Sequence, residues 1–254
     1  MSKTMRRYQA ALYAGLALVL VLWATTTARF DGFSWSQVLP NILGILRGIF
    51  LGTDWAYAAE GTVKLLQTME MAVLGTLIAA VLALPFAFLA SRNVAARFAG
   101  VGRFLLNVIR TVPEIILAII FIKGVGPGAM AGVLAMGIHS IGLMGKLYAD
   151  AVEAIDKGPI EAIQACGGNR LQQIWYGMIP QVLPEFASFV LYRFEINARA
   201  AVVLGVVGAA GIGTPLLFAI LSGEWGRVGI ILLLIVVAVS LIDLGSGKLR
   251  KKLV

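Results

Sequence analysis

Two long charge-free stretches limit the structures that this chain can adopt. Tyr8–Ala28 and Met71–Ser91 each run for 21 residues without a charged side chain, and about 20 apolar residues are enough for a helix to cross a bilayer. Hydrophobic residues make up 59% of the 254-residue chain and charged residues only 13%, whereas soluble domains average about 45–50% and 25%. The sequence therefore predicts an all-α fold, a polytopic helical bundle in a membrane.

Six apolar segments predict about six transmembrane helices. The first begins after basic residues, as a signal peptide does, but its apolar part exceeds the roughly 7–15 residues of such peptides, so we expect it to be retained. We divide the chain into residues 1–60, a first transmembrane helix with an outer loop, and residues 61–254, the core transmembrane domain. In the outer loop, Val38–Leu51 is expected to form an amphipathic surface helix. The predicted spans are Tyr8–Ala28, Leu65–Ala90, Phe104–Ile122, Ala129–Tyr148, Leu183–Gly208 and Val228–Leu244.

The distribution of Lys and Arg predicts how these spans are oriented. With six spans, thirteen of the 21 basic residues lie on the side of both termini, five lie on the other side and three lie within spans. Cytoplasmic loops carry the excess of Lys and Arg, so both termini are expected in the cytoplasm. The net charge of +8 is thereby explained by contact with the lipid bilayer, and no nucleic-acid partner is expected.

The segment at about residues 150–184 is too polar to cross the membrane, because a charged side chain costs about 2.5–3.5 kcal/mol at the centre of a transmembrane helix. Gly158-Pro159 is typical of a helix start and Gly167-Gly168 of a helix end. The segment therefore predicts a short helix in a cytoplasmic loop, where it can contact a soluble partner.

This loop resembles the EAA loop of ABC-importer permeases. The similarity rests on Glu-Ala-Ile at 161–163, Gly167 and Ile179-Pro180, with Ile163 in place of the last Ala and Gly177 at a position that is usually apolar. The resemblance implies a coupling helix that docks in a groove of a cytoplasmic ATPase; an ordinary cytoplasmic loop is the alternative. The implied coupling residues are Glu161, Ala162, Ile163, Gly167 and Pro180.

Charged and polar side chains, whose burial in hydrocarbon costs free energy, lie inside the third and fifth predicted spans. Arg110 with Glu114, and Glu195 with Arg199, are spaced i, i+4 and so share a helix face. Such groups face the bundle interior or a water-filled path and pair with one another. Two interpretations stay open, a path or gate that passes an anion and interhelical ion pairs that fix packing. The candidate residues are Arg110, Glu114, Arg193, Glu195, Asn197 and Arg199.

Residues of the fifth span resemble the permease of phosphonate-type ABC importers. The similarity rests on Tyr192–Asn197 (YRFEIN), the Gly-rich run 208–213 and Arg110–Glu114 (RTVPE), and it covers about residues 60–246. Ala210 stands where that family more often has Gly. The resemblance implies the type I ABC importer permease fold in a bacterial inner membrane and a phosphorus oxyanion as cargo: phosphonate, phosphate, phosphite or hypophosphite.

The same resemblance implies partners. These are a second permease, with a homodimer expected and a heterodimer left open, two cytoplasmic ATPase subunits and an extracytoplasmic binding protein. The chain has no GxxxxGK[ST] pattern, so ATP and Mg are expected on the ATPase partners and no cofactor in this chain. One Cys and one His offer little for a metal.

Two other functions stay open. The first is an importer permease for an amino acid or a sulfonate. The second is an intramembrane enzyme that uses Glu114, His139 or Glu195 as acid or base, although no HExxH or GxSxG motif accompanies these residues.

Smaller features complete the predictions. Gly208, Gly211 and Gly213 are expected to form a flexible outer turn that caps the path. For His139, a hydrogen bond between helices is favoured over a proton relay. The basic cluster Lys248–Lys252 is expected to anchor the chain at an anionic leaflet.

Overall fold

The computed structural model describes residues 3–27 and 35–253, and every regular element within those ranges is helical. Helices are expected because a chain in lipid must satisfy its backbone hydrogen bonds internally. A 3₁₀ turn at Trp55–Tyr57 and a π-helical segment at Gln173–Met178 interrupt the α-helices. The α-helices are α1 Lys3–Thr27, α2 Trp35–Leu51, α3 Ala58–Ala90, α4 Arg92–Ala95, α5 Ala99–Thr111, α6 Glu114–Val125, α7 Ala129–Ala154, α8 Gly158–Ala165, α9 Arg170–Gln172, α10 Ile179–Val206, α11 Gly213–Leu221 and α12 Trp225–Leu253.

The chain divides into two compact units, Met1–Leu46 and Arg47–Val254, and the division lies inside α2 rather than after residue 60. In the first unit, α1 covers most of the predicted first span and exposes apolar side chains along its described part. The predicted surface segment Val38–Leu51 is helical as part of α2. Arg29, which enters the orientation argument, lies outside the described residues.

The predicted third span, Phe104–Ile122, is broken near its middle. This segment forms α5 and α6, which meet at an angle of 79°. Pro113 lacks a backbone N–H and disfavours the helical conformation of the residue before it. Val112 is accordingly extended, with φ −78° and ψ 119°. The break places Arg110 at the end of one helix and Glu114 at the start of the next.

The remaining core spans are single helices. By length and composition, the described residues contain three helices able to cross a membrane, or four if the bent α5–α6 pair counts as one span. The three are α3 with its preceding turn, α7 and α12. Because α10 carries charged residues along its length, composition alone does not count it, and the total of six spans stays a prediction.

The core of the second unit lies between α3, α7 and α10. Small residues on α3, among them Ala79, Ala83 and Ala87, are fully buried and let α7 approach closely. Towards the polar loop, Tyr148 of α7 stacks on Phe186 of α10 with ring centroids 4.0 Å apart. This packing fixes the start of α10, and with it the polar loop that precedes it.

Candidate functional site

The predicted short helix in the polar loop exists as α8, and it begins and ends where the Gly-Pro and Gly-Gly pairs indicate. Glu161 and Ala162 are exposed, whereas Ile163 is half-buried. The helix therefore presents Glu161 and Ala162 to solvent. Pro180 is exposed at the second position of α10, so it is separate from the surface of α8.

The end of α8 is fixed by a glycine turn. Gly167 has φ +81°, a left-handed conformation that strains residues with a Cβ. The N–H of Gly168 donates to the carbonyl of Ile163 at 2.9 Å, and the N–H of Gly167 donates to the carbonyl of Gln164 at 2.9 Å. This pair of bonds is a Schellman motif. Gly167 therefore ends α8, as the Gly-Gly pair in the sequence predicts.

The π-helical segment Gln173–Met178 packs against α8. A Cβ on the buried Gly177 would lie 3.1 Å from Cγ1 of Ile160 and 3.2 Å from Cδ1 of Ile163. Gly177 therefore allows a closer approach than an apolar side chain would. This explains in physical terms why the residue at this position is small.

Gln181, in the first turn of α10, ties the loop to that helix. Its side-chain amide donates to the carbonyl of Gly177 at 2.6 Å and to the carbonyl of Asp156 at 3.2 Å. Its Oε1 accepts from the N–H of Asp156 at 3.0 Å. Asp156 in turn accepts from the N–H of Gly158, where α8 begins. The start of α8 is thus connected to the base of α10.

A second set of bonds ties α7 to the α4–α5 corner. Oε1 of Glu153 accepts from the Arg92 N–H and from the Arg103 guanidinium, both at 2.6 Å. The Asn93 amide donates to the carbonyl of Val152 at 3.1 Å. The corner and the polar loop flank one open cleft of about 630 Å³. Its lining residues are Asn93, Val94, Ile155, Lys157, Ile160, Gln164, Gly168, Asn169, Arg170, Gln173, Ile174 and Met178.

A buried polar network joins three helices in the bundle interior. The Asn197 amide donates to Oγ1 of Thr76 at 2.9 Å and to Oγ of Ser140 at 3.2 Å. Nε of Arg193 donates to the same Ser140 Oγ at 2.7 Å. Because Asn197 is fully buried and Arg193 is only 4% exposed, this network connects α10 to α3 and α7 away from any surface of the subunit.

Two further polar atoms, one on Arg193 and one on Glu114 at the α5–α6 bend, are also buried. Nη2 of Arg193 and Oε1 of Glu114 are both buried without a hydrogen-bond partner among the described residues. Their charges interact, but no ion pair within 4 Å joins them. Nδ1 of His139 lies 3.2 Å from the carbonyl of Val112. The favoured role of His139 as a helix-packing hydrogen bond is confirmed.

The i, i+4 pairing of Glu195 with Arg199 is wrong. Oε1 of Glu195, which is buried, accepts from Arg250 of α12 at 2.7 Å. Arg199 instead pairs with Asp243 of α12 at 3.1 Å. Because α10 and α12 pack as antiparallel neighbours, α12 supplies a partner for both Glu195 and Arg199. Arg250 is therefore part of this interface, whereas the neighbouring Lys248, Lys251 and Lys252 are exposed.

The two predicted partners Arg110 and Glu114 are not paired either. Arg110 is exposed at the end of α5 and has neither a hydrogen bond nor an ion pair from its side chain to any described residue. The break at Val112–Pro113 removes the helical geometry that would have brought the two side chains together. Only Glu114 turns towards Arg193.

The Gly-rich connection after α10 is closely packed. Ala209, Gly211 and Ile212 are buried, and the Ile212 N–H donates to Oγ1 of Thr68 at 2.8 Å. Gly208 and Gly211 have φ values of +99° and +82° and Ala210 has +65°, while Gly213 is buried at the start of α11. The predicted mobility of this turn stays a prediction; in the observed conformation it is held against α3.

Several structural residues had weak signals or none in the sequence. Asn169 and Gln172 form a capping box at α9, which the Asn-x-x-Gln spacing could have indicated. Gln181, Ser140 and Asp243 have no local pattern, since each acts through a contact with a distant helix.

Apolar helices around a buried polar core, with an exposed helix in a polar loop, define a helical membrane protein. More narrowly, residues 83–249 match the family described as binding-protein-dependent transport system inner membrane component. The match covers well over half of the chain, which therefore belongs to this family.

Relatives and solved structures agree with this assignment. The chain is 41% identical to the phosphite transport system permease protein PtxC of Stutzerimonas stutzeri over 96% of this chain and 88% of that protein. It is 33% identical to the putative phosphite transport system permease protein HtxC of the same organism, over 96% and 86%. The MetNI methionine ABC transporter in an inward-facing conformation superposes with a TM-score of 0.68 at 20% identity, over 80% of this chain and 100% of that chain. This last likeness shows that the fold is that of ABC importer permeases.

Proposed function

We propose that this protein is the permease subunit of an ATP-driven importer for a phosphorus oxyanion such as phosphite or phosphonate. The observation that carries the proposal is the 41% identity to a phosphite permease along 96% of the chain. The methionine transporter supports only the shared fold, at 20% identity, so import of an amino acid or a sulfonate is the second candidate.

The proposed importer contains partner proteins that this permease requires for transport. ATP and Mg are bound by two cytoplasmic ATPase subunits, cargo is delivered by an extracytoplasmic binding protein, and a second copy of the permease completes the pathway. In this assembly both termini and α8 lie in the cytoplasm, as the distribution of Lys and Arg indicates.

The proposed coupling element is α8 with its connection to α10. Its exposed face carries Glu161 and Ala162, the Gly167 turn ends the helix, and the Gln181 bonds to Asp156 tie its start to α10. An ATPase that grips α8 would therefore move α10 directly. Because α10 also carries the buried polar network, that movement would reach the bundle interior.

An uptake assay tests the proposed cargo. We expect proteoliposomes that contain the permease, its ATPase and its binding protein to accumulate radiolabelled phosphite or methylphosphonate when ATP is supplied inside. Vesicles without the ATPase are the matched control. Accumulation of methionine but of no phosphorus oxyanion would contradict the proposal and favour the second candidate.

A further inference from the structure

Three charged residues of α10 within the fifth predicted span make polar contacts with neighbouring helices. Arg193 donates to Ser140 inside the subunit, Arg199 pairs with Asp243, and Glu195 pairs with Arg250. These side chains already have structural partners. None of them is a free cation on the surface of the bundle.

Arg110 differs from all of these. Its side chain is exposed, and no described residue accepts a hydrogen bond from its guanidinium or lies within ion-pair distance. It lies about 10 Å along α5 from Arg103, whose ion pair with Glu153 belongs to the α4–α5 corner at the end of that helix. A guanidinium without an ion-pair partner among the described residues, within a predicted membrane segment, is expected to face water or another polar surface rather than lipid.

The break after α5 adds a second feature to this position. Discontinuous transmembrane helices commonly lie at substrate sites of transporters, because their irregular backbone is tolerated only where it lines a cavity or is buried in protein. Arg110 occupies the last turn before the 79° bend between α5 and α6. The free cation and the helix break therefore coincide on one exposed part of the subunit.

We propose that Arg110 is the specificity-determining cation of the translocation path, where its guanidinium donates hydrogen bonds to the anionic oxygens of the cargo during passage. Arg193 is bonded to Ser140 inside the subunit, and Arg199 belongs to the α10–α12 interface. This inference rests on the proposed anion import and assigns its selectivity to one side chain. A guanidinium suits the task because it presents several N–H donors to an oxyanion and stays charged at every physiological pH.

A charge series at residue 110 tests the assignment in the reconstituted importer. Arg110→Gln is expected to lower phosphite uptake per ATP hydrolysed about tenfold, the effect of losing one charge-assisted hydrogen bond. Arg110→Lys should restore part of the uptake, and Arg110→Glu should abolish it. Stimulation of the ATPase by the loaded binding protein should persist in all three variants, since none of them touches the coupling loop. Arg97→Gln, which removes an exposed charge from the α4–α5 loop, is the matched control with unchanged uptake.

The outcomes separate this inference from the proposed function. If wild-type vesicles take up no phosphorus oxyanion, the proposed function fails before any variant is compared. If wild-type vesicles take up phosphite and Arg110→Gln does so equally well, the assignment of Arg110 is wrong while the function stands. Equal loss of uptake and ATPase activity in all three variants, with dissociation of the permease pair, would show a contact between subunits and also overturn the assignment.

Discussion

Side chains of the same type have different roles in this protein, and only their surroundings distinguish them. Arg110 and Arg193 both lie within predicted spans, but the first is exposed and unpaired while the second is 4% exposed and bonded to Ser140. The sequence could locate both because a charge in an apolar run is conspicuous. It could not predict their surroundings: Arg193 bonds to Ser140 on a helix distant in sequence, and Arg110 has no partner among the described residues.

Ala210 supplies a prediction at the same scale. Its φ of +65° places it in the left-handed region, which costs an L-residue roughly 1–2 kcal/mol, and part of this strain is offset by the lower unfolded-state entropy of Ala relative to Gly. We expect Ala210→Gly to stabilise the permease by about 0.5–1 kcal/mol, seen as a higher Tm in detergent.

Ala209 provides the matched control for that change. It is fully buried with an ordinary backbone, so Ala209→Gly should lower the Tm by losing packing and adding unfolded-state entropy. A lower Tm for both variants would show that the conformation of Ala210 carries no strain.

At the scale of single elements, short polar helices were easier to predict than long apolar ones. Gly-Pro and Gly-Gly bracket α8 correctly because their effects are local to the backbone. The third span was predicted from its apolar composition, which does not show how sharply the backbone bends at Pro113. The Gln181 bonds to Asp156 join residues that only the folded loop brings together, so no sequence pattern indicates them.

The end of α8 gives the prediction that belongs to this scale. Gly167→Ala places a Cβ on a residue with φ +81°, and the resulting strain of about 1–2 kcal/mol should displace the Schellman turn. We expect a folded importer whose ATPase still turns over but whose uptake per ATP falls several-fold. The measurement compares ATP hydrolysis with cargo accumulation in the same vesicles.

Gly245→Ala is the control for the coupling variant. Gly245 lies in α12, and a Cβ there meets no atom within 4 Å, so uptake per ATP should stay at the wild-type value. If Gly167→Ala also keeps the wild-type value of uptake per ATP hydrolysed, the Gly167 turn has no role in coupling.

At the scale of the whole molecule, the proposed transport function depends on the fold, on the orientation in the membrane and on an ATPase partner. The fold and family follow from the match over residues 83–249 and from the superposition on an importer permease. The orientation rests on thirteen basic residues against five, an argument that needs no structure. The sequence could thus indicate the helical membrane class of the core, while the interior network and the α10–α12 ion pairs needed the packed helices.

The central claim is that α8 lies in the cytoplasm and is bound there by an ATPase. Cys166, the only cysteine of the chain, is exposed where α8 ends, so a membrane-impermeant maleimide reports directly on this helix in the otherwise unmodified protein. The account predicts that Cys166 reacts in inverted vesicles but not in right-side-out vesicles, and that bound ATPase strongly slows the reaction. Reaction from the outer side, or an equal rate with and without the ATPase, would contradict it.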